Sequence, residues 1–211
     1  MEKTSVNSAQ PISLKGHSRL LVHQLHEIAE WFGFETRNKY EVLDENKIPV
    51  AFAAEQQKGI LGWVLRQYLG HWRKFDVHFF TPDRKLMLVA HHPFRWFFQR
   101  IEVRDPEGRF LGAIQKRFSI LSKRFDIENS RGSVSLEVKS PIWRVWTFKF
   151  TQRGRELATV KKKWSGIFAE AFTDKDKFLV EFNDPNLSDE DRLLVMVSSV
   201  FVDLLYFEKK E

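Results

Sequence analysis

Beyond Ser18, apolar and polar residues alternate along most of this chain, and turn residues interrupt the alternation about every ten positions. "RKFDVHFF" runs into "TPDR", "KLMLVA" into "HHP", and "RIEV" into "RDPEGR". "FLGAIQKRF" follows, then "SVSLEV" before "KSP", "WRVWTFKF" before "TQRGR", and "ELATVKKKW". A side-chain period of two with evenly spaced turn signals predicts short antiparallel strands in a sandwich or barrel. "DPEG" (105–108) and "QRGR" (152–155) have the residue types of hairpin turns.

Two segments leave this pattern. Ile60, Leu61, Val64, Leu65, Tyr68, Leu69 and Trp72 recur at helical spacing and fall on one face. Gly62 and Gly70 each weaken such a helix by about 1 kcal/mol. Its apolar face either packs on the sheet or dips into a membrane interface, with Ile60, Trp63 and Val64 as candidate lipid contacts. The second segment runs from Ser188 to Glu208. Ser188 with Asp191 three residues on is a variant of the capping box, and acids fill the first turn.

That last segment contains "LLVMVSSVFVDLLYFE", the most apolar stretch in the chain. A membrane span needs about 20 apolar residues to cross about 30 Å. The uncharged run here, Leu193 to Val202, reaches only about 15 Å at 1.5 Å per residue. Asp203 then interrupts it, at about 3 kcal/mol if placed at bilayer depth. Arg192, Ser199, Asp203 and Lys210 share one narrow stripe, and nearly everything else around the helix is apolar. A short helix that is apolar on nearly all sides belongs in a protein core. The strands before it predict a β-barrel as the container.

Composition narrows the partners. The net charge of +6 favours anionic ones: acidic lipid headgroups, an acidic protein or nucleic acid. Nucleic acid ranks below the others, since no RNP, helix-turn-helix or zinc-finger signature is present. The 20 Phe and 7 Trp stand against no cysteine at all, which excludes disulfides, thiolate metal sites and palmitoylation. There is no Walker loop, G-x-G-x-x-G or G-x-S-x-G elbow, so the chain is not expected to be an enzyme. Residues 1–17 lack the apolar core of a signal peptide and read as a flexible tail before a single domain at 18–211. The expected location is cytoplasmic, peripheral to the inner face of a membrane.

Several ordered segments resemble the phospholipid scramblase family. "KKWSGIFAEAFTDKDKFLVEF" (162–182) is similar to its W-S-G segment and the acidic stretch that leads into a strand. "YEVLDENKIPVAFAAEQ" (40–56) resembles its early hairpin, "DPEGRFLGAIQKRF" (105–118) its P-x-G-x-x-x-G-x-x-Q hairpin, and "FVDLLYFE" (201–208) its last helix. The resemblance implies a mainly β, Tubby-like fold: a closed antiparallel barrel of about twelve strands around a buried C-terminal helix. It also implies energy-independent movement of phospholipids between leaflets, stimulated by Ca²⁺. The alternative reading is an anionic-lipid or phosphoinositide binding module without transport.

The resemblance puts a Ca²⁺ segment at Asp174 and Asp176, with Asp184 as a nearby substitute for the family's later acidic position. Oxygen ligands two residues apart suit a hard cation, but six to eight oxygens are needed and few carboxylates are near. Phe178, Val180 and Phe182 alternate as a half-buried strand and point away from any ion. The family's lipid-modified cysteine region corresponds here to Phe94, Arg95, Trp96, Phe97 and Phe98, followed by Arg100. Aromatics beside arginines suit a headgroup boundary, whereas strand alternation would turn at least one of them inward. Lys161, Lys162 and Lys163 before Trp164 form the other candidate surface for anionic phospholipid membranes. Read as a strand, Lys161 and Lys163 share one face and Lys162 takes the other.

Overall fold

Antiparallel pairing between chain neighbours carries twelve strands around a full circle, and the last strand pairs with the first. The computed structural model describes residues 13–25, 38–56, 75–93, 98–141, 146–163 and 177–206, with backbone alone at 163, 177, 205 and 206. The strands are β1 (Arg19–Gln24), β2 (Lys39–Leu43), β3 (Pro49–Gln56), β4 (Phe75–Phe80), β5 (Leu86–His92) and β6 (Arg100–Arg104). They continue as β7 (Phe110–Lys116), β8 (Ser122–Asn129), β9 (Val134–Pro141), β10 (Thr147–Gln152), β11 (Arg155–Lys163) and β12 (Lys177–Phe182). One helix, α1 (Asp189–Tyr206), follows. This is the closed, mainly β barrel with a C-terminal helix that the sequence predicts. Closure leaves no unpaired strand edge among them.

Up-and-down order gives the barrel two unlike ends. At the hairpin end, short turns join β2–β3, β4–β5, β6–β7, β8–β9 and β10–β11. The two expected hairpins lie here. Arg153 (φ 50°) and Gly154 (φ 81°) are both left-handed, as a two-residue hairpin turn between right-twisted strands requires. Asp105 closes the other: its carboxylate accepts from the Arg109 backbone N–H at 2.7 Å and the Arg109 Nε at 2.8 Å. At the distal end lie the β1–β2, β3–β4, β5–β6, β7–β8, β9–β10 and β11–β12 connections.

Inward positions on the strands are mostly apolar, and α1 fills the space they enclose. Leu194 to Val202 are each at most 2% exposed, polar Ser198 and Ser199 included. Their hydroxyls donate to the carbonyls of Leu194 (2.7 Å) and Met196 (2.6 Å), so neither is left unsatisfied. Of the polar stripe read from the sequence, Arg192, Ser199 and Asp203 are therefore also inside, and Lys210 lies outside the described residues. No helix among the described residues is long and apolar enough to cross a membrane. The space between α1 and β4, β5 and β6 holds no water-sized void.

The helix is fixed at its start. Ser188 Oγ accepts from the Asp191 N–H at 3.1 Å and donates to its carboxylate at 2.7 Å, the expected cap. Arg192, 3% exposed, donates to five backbone carbonyls: Leu187, Leu14, His17, Asp184 and Pro185. Its guanidinium also lies 4.6 Å from the centre of the Phe182 ring. Across the barrel, Gly112 makes room for the helix. A Cβ there would lie 2.4 Å from the Glu128 carbonyl oxygen and 2.7 Å from Leu194 Cδ1.

Three sequence expectations change. Residues 13–17, read as tail, pack on the helix start: Leu14 is 1% exposed, and Asp189 accepts from the backbone of Leu14 and Lys15. "HHP" is not a turn, because His91 and His92 pair with Asp76 and Phe75 within β5. "FLGAIQKRF" is not one strand to its end, because β7 stops at Lys116.

Candidate functional site

The distal end concentrates what the rest of the surface lacks. Six large apolar side chains are exposed among the described residues, and four are here: Phe98 (51%), Phe118 (72%), Ile120 (76%) and Leu121 (71%). Ile48 and Val134 are at the hairpin end. Three of the four lie on the β7–β8 connection, 117–121. The ladder between these strands ends where the Arg117 N–H donates to the Arg124 carbonyl at 2.9 Å. Beyond it the Ser119 and Ser122 hydroxyls bond across the loop at 2.6 Å, with Ile120 and Leu121 between them. Gln115 Nε2 donates to the carbonyls of Phe98 (3.1 Å) and Gln99 (3.4 Å), tying the end of the β5–β6 connection to β7.

Basic residues surround this apolar tip. Lys116 and Arg117 precede it, Lys123 and Arg124 follow it, and no acid lies between Gln115 and Asp126. Register places Lys116 opposite the core residue Phe125, and Lys123 two residues before it, so both stems start on the inward face at the barrel mouth. Burial pushes both amines below the ordinary lysine range. Lys123 Nζ sits 5.6 Å from the Phe148 ring centre. Arg117 is held by Asp126 at 2.6 Å, with 41% of its side chain still exposed.

Of the sequence-derived lipid contacts, Phe98 is exposed at this end and adopts a left-handed backbone (φ 51°). Ile60, Trp63, Val64, Phe94, Arg95, Trp96, Phe97 and Trp164 lie outside the described residues, as does the side chain of Lys163. They belong to the β3–β4, β5–β6 and β11–β12 connections, whose flanking strands all end distally. Lys161 faces outward and pairs with Glu181 at 2.5 Å. Two candidates are corrected. Arg100 is pinned to the wall by Glu128 (2.6 Å) and Gln115 (3.1 Å), with 16% of its side chain exposed. Lys162 faces Phe178 across the β11–β12 ladder, so alternation sends it into the barrel. There its amine lies 3.8 Å from Asp203, with both side chains at most 8% exposed. Tyr40 donates to the same carboxylate at 2.9 Å, so the acid that interrupts the apolar helix meets polar partners at the distal end of the barrel.

Of the Ca²⁺ set, Asp174 and Asp176 lie outside the described residues. Asp184 follows the hairpin end of β12, about 20 Å from the distal start of that strand at about 3.3 Å per residue. Its carboxylate there holds Arg155 (2.6 Å) and the Asn186 N–H (2.9 Å). An acidic group that the sequence did not single out, His17, Asp44 and Glu45, brings its ligand atoms within 4.8 Å of one another. Asp44 Oδ1 accepts from the Asn46 and Ile48 N–H groups, and Glu45 from the Ser18 N–H and His17. Both carboxyls are lowered from their ordinary range, Asp44 chiefly by the Ile48 N–H and Glu45 chiefly by its own backbone N–H.

Comparison with known proteins draws on the whole chain. The Scramblase family model matches residues 3–209. The chain belongs to the scramblase family. It is 27% identical over 207 residues to human phospholipid scramblase 2, covering 90% of this chain and 67% of that protein. It is 28% identical over 207 residues to mouse phospholipid scramblase 1, covering 90% and 61%. The scramblase-family chain thus spans about two thirds or less of the length of these relatives. A solved Arabidopsis thaliana protein superimposes with a TM-score of 0.49 and 8% identity over 89% of this chain and 91% of that one, too loose a likeness to argue from.

Physical reasons now attach to the glycines and glutamine of this scramblase-family hairpin. Gly108 (φ 83°) supplies the left-handed turn residue. Gly112 admits the helix, and Gln115 ties two distal connections together.

Proposed function

We propose that this scramblase-family chain is a peripheral membrane protein that binds anionic phospholipid bilayers by its distal end and speeds energy-independent movement of phospholipids between leaflets. The observation that carries the reading is the gathering of Phe98, Phe118, Ile120 and Leu121 at one end of the barrel, beside basic residues. Apolar side chains next to arginine and lysine settle at a headgroup boundary, where stems bury and charges meet phosphate. The helix is committed to the core, so lipid is met by the surface. No covalent catalysis is assigned to the chain. Ca²⁺ stimulation would rest on Asp174 and Asp176, which could offer oxygen ligands to a hard cation; the Asp184 carboxylate holds Arg155.

Vesicles carrying fluorescent lipid in both leaflets and bleached from outside by dithionite test this. The expected result is bleaching beyond the outer-leaflet fraction when protein is added, measured with and without Ca²⁺. Bleaching equal to protein-free vesicles in both conditions removes the transport claim. A binding module without transport is the second reading. It is favoured by the helix that fills the barrel, packed without a water-sized void against β4, β5 and β6 among the described residues. Co-sedimentation with vesicles but no added bleaching selects it.

A further inference from the structure

We infer that the β7–β8 connection, 117–121, is the segment that enters the bilayer, so that the barrel docks end-on with α1 steeply inclined to the membrane. The inference rests on the membrane reading above and adds an insertion site and an orientation that the reading leaves open.

Three observations converge on it. Phe118, Ile120 and Leu121 are the three most exposed large apolar side chains among the described residues, and they are consecutive but for Ser119. A protein surface normally covers such a cluster or uses it. The base of the tip is also closed: the Arg117 N–H donates to the Arg124 carbonyl and the Ser119 and Ser122 hydroxyls bond each other. Those groups are not stranded when the tip meets lipid, where an unpaired polar group is costly, and the apolar side chains reach beyond them. The charge pattern names the partner. Two basic residues stand on each side of the apolar tip with no acid among them, which complements an anionic headgroup layer around inserted side chains. Lys116 and Lys123 stay close to the barrel mouth, their stems beginning beside Phe125, so their amines lie behind the tip rather than on it.

Flotation of the full chain with phosphatidylcholine vesicles, with and without phosphatidylserine, tests the proposal. The tip variant carries Phe118→Ser, Ile120→Ser and Leu121→Ser. A control carries Ile48→Ser and Val134→Ser, the exposed apolar residues of the opposite end. All five side chains are exposed, and matching thermal melts confirm that each variant folds. The expected result is binding of the wild type to phosphatidylserine vesicles, at least about a tenfold loss in the tip variant, and no change in the control. Equal binding of wild type and tip variant overturns the insertion site while the membrane reading stands. Loss in the control with retention in the tip variant overturns the orientation. A wild type that binds neither vesicle removes the membrane reading itself, and the inference with it. A wild-type dimer that becomes monomeric in the tip variant assigns the tip to a second copy of the chain and also overturns the inference.

Discussion

Arg192 offers a direct test of how the helix is held in the barrel. Its guanidinium meets the Leu187 carbonyl at 3.0 Å and the His17 carbonyl at 2.8 Å, with longer contacts at 3.2, 3.2 and 3.4 Å to Asp184, Pro185 and Leu14. Arg192→Met keeps much of the stem and removes all of them. Two well-placed charged hydrogen bonds contribute about 1.5–3 kcal/mol each, and the stacked Phe182 ring adds up to about 2 kcal/mol. Relief from desolvating a buried cation offsets part of this, which leaves a net loss of about 3 kcal/mol. For a chain of this size that corresponds to a drop in Tm of roughly 6–12 °C. Arg192→Lys places one compact ammonium where a planar fork reaches three directions, and is expected to lose about half as much. Urea unfolding followed by circular dichroism measures both. A methionine variant within about 1 kcal/mol of wild type, at unchanged denaturant slope, would refute the role given to Arg192.

Other perturbations probe other joints. Gly112→Ala forces a Cβ against the Glu128 carbonyl and Leu194, and is expected to cost about 2–3 kcal/mol in the same urea experiment. Lys162→Met leaves Asp203 charged inside the barrel beside Tyr40; pairing it with Asp203→Asn is expected to recover part of the loss, with a coupling of at least about 1 kcal/mol in a double-mutant cycle. Glu156 is held below the ordinary glutamate range, first by Lys149 and then by Thr159. Its contribution is therefore complete above about pH 4.3 and fades as pH falls through the lower folded value, so Glu156→Gln is expected to flatten the acid side of a Tm-against-pH curve.

Much of the architecture is legible in the sequence because local chemistry and global packing agree. Arg153–Gly154 can only turn tightly where positive φ is tolerated, and the strands on either side pair as that turn dictates. The terminal helix announces its interior position by being too short to span and too apolar to float. What the pattern hides is where a strand stops. "FLGAIQKRF" keeps its alternation through Phe118, so counting alone retains that residue in the wall. Lys116 breaks the rule quietly: it occupies an inward position, and a lysine there marks the barrel mouth, beyond which the chain turns into the loop. Lys162 carries the same message on β11, where a run of three lysines looks like surface although one points inside.

The chain has no cysteine, so a single engineered thiol reports on one place only. The central claim is that the barrel meets lipid with its distal end while its most apolar segment stays inside. An environment-sensitive dye attached at Leu121→Cys, and separately at Ile48→Cys, tests it on addition of phosphatidylserine vesicles. A blue-shifted, brighter emission at 121 and an unchanged spectrum at 48 are expected. An unchanged spectrum at 121 on vesicle-bound protein, or a shift at 48, would contradict it.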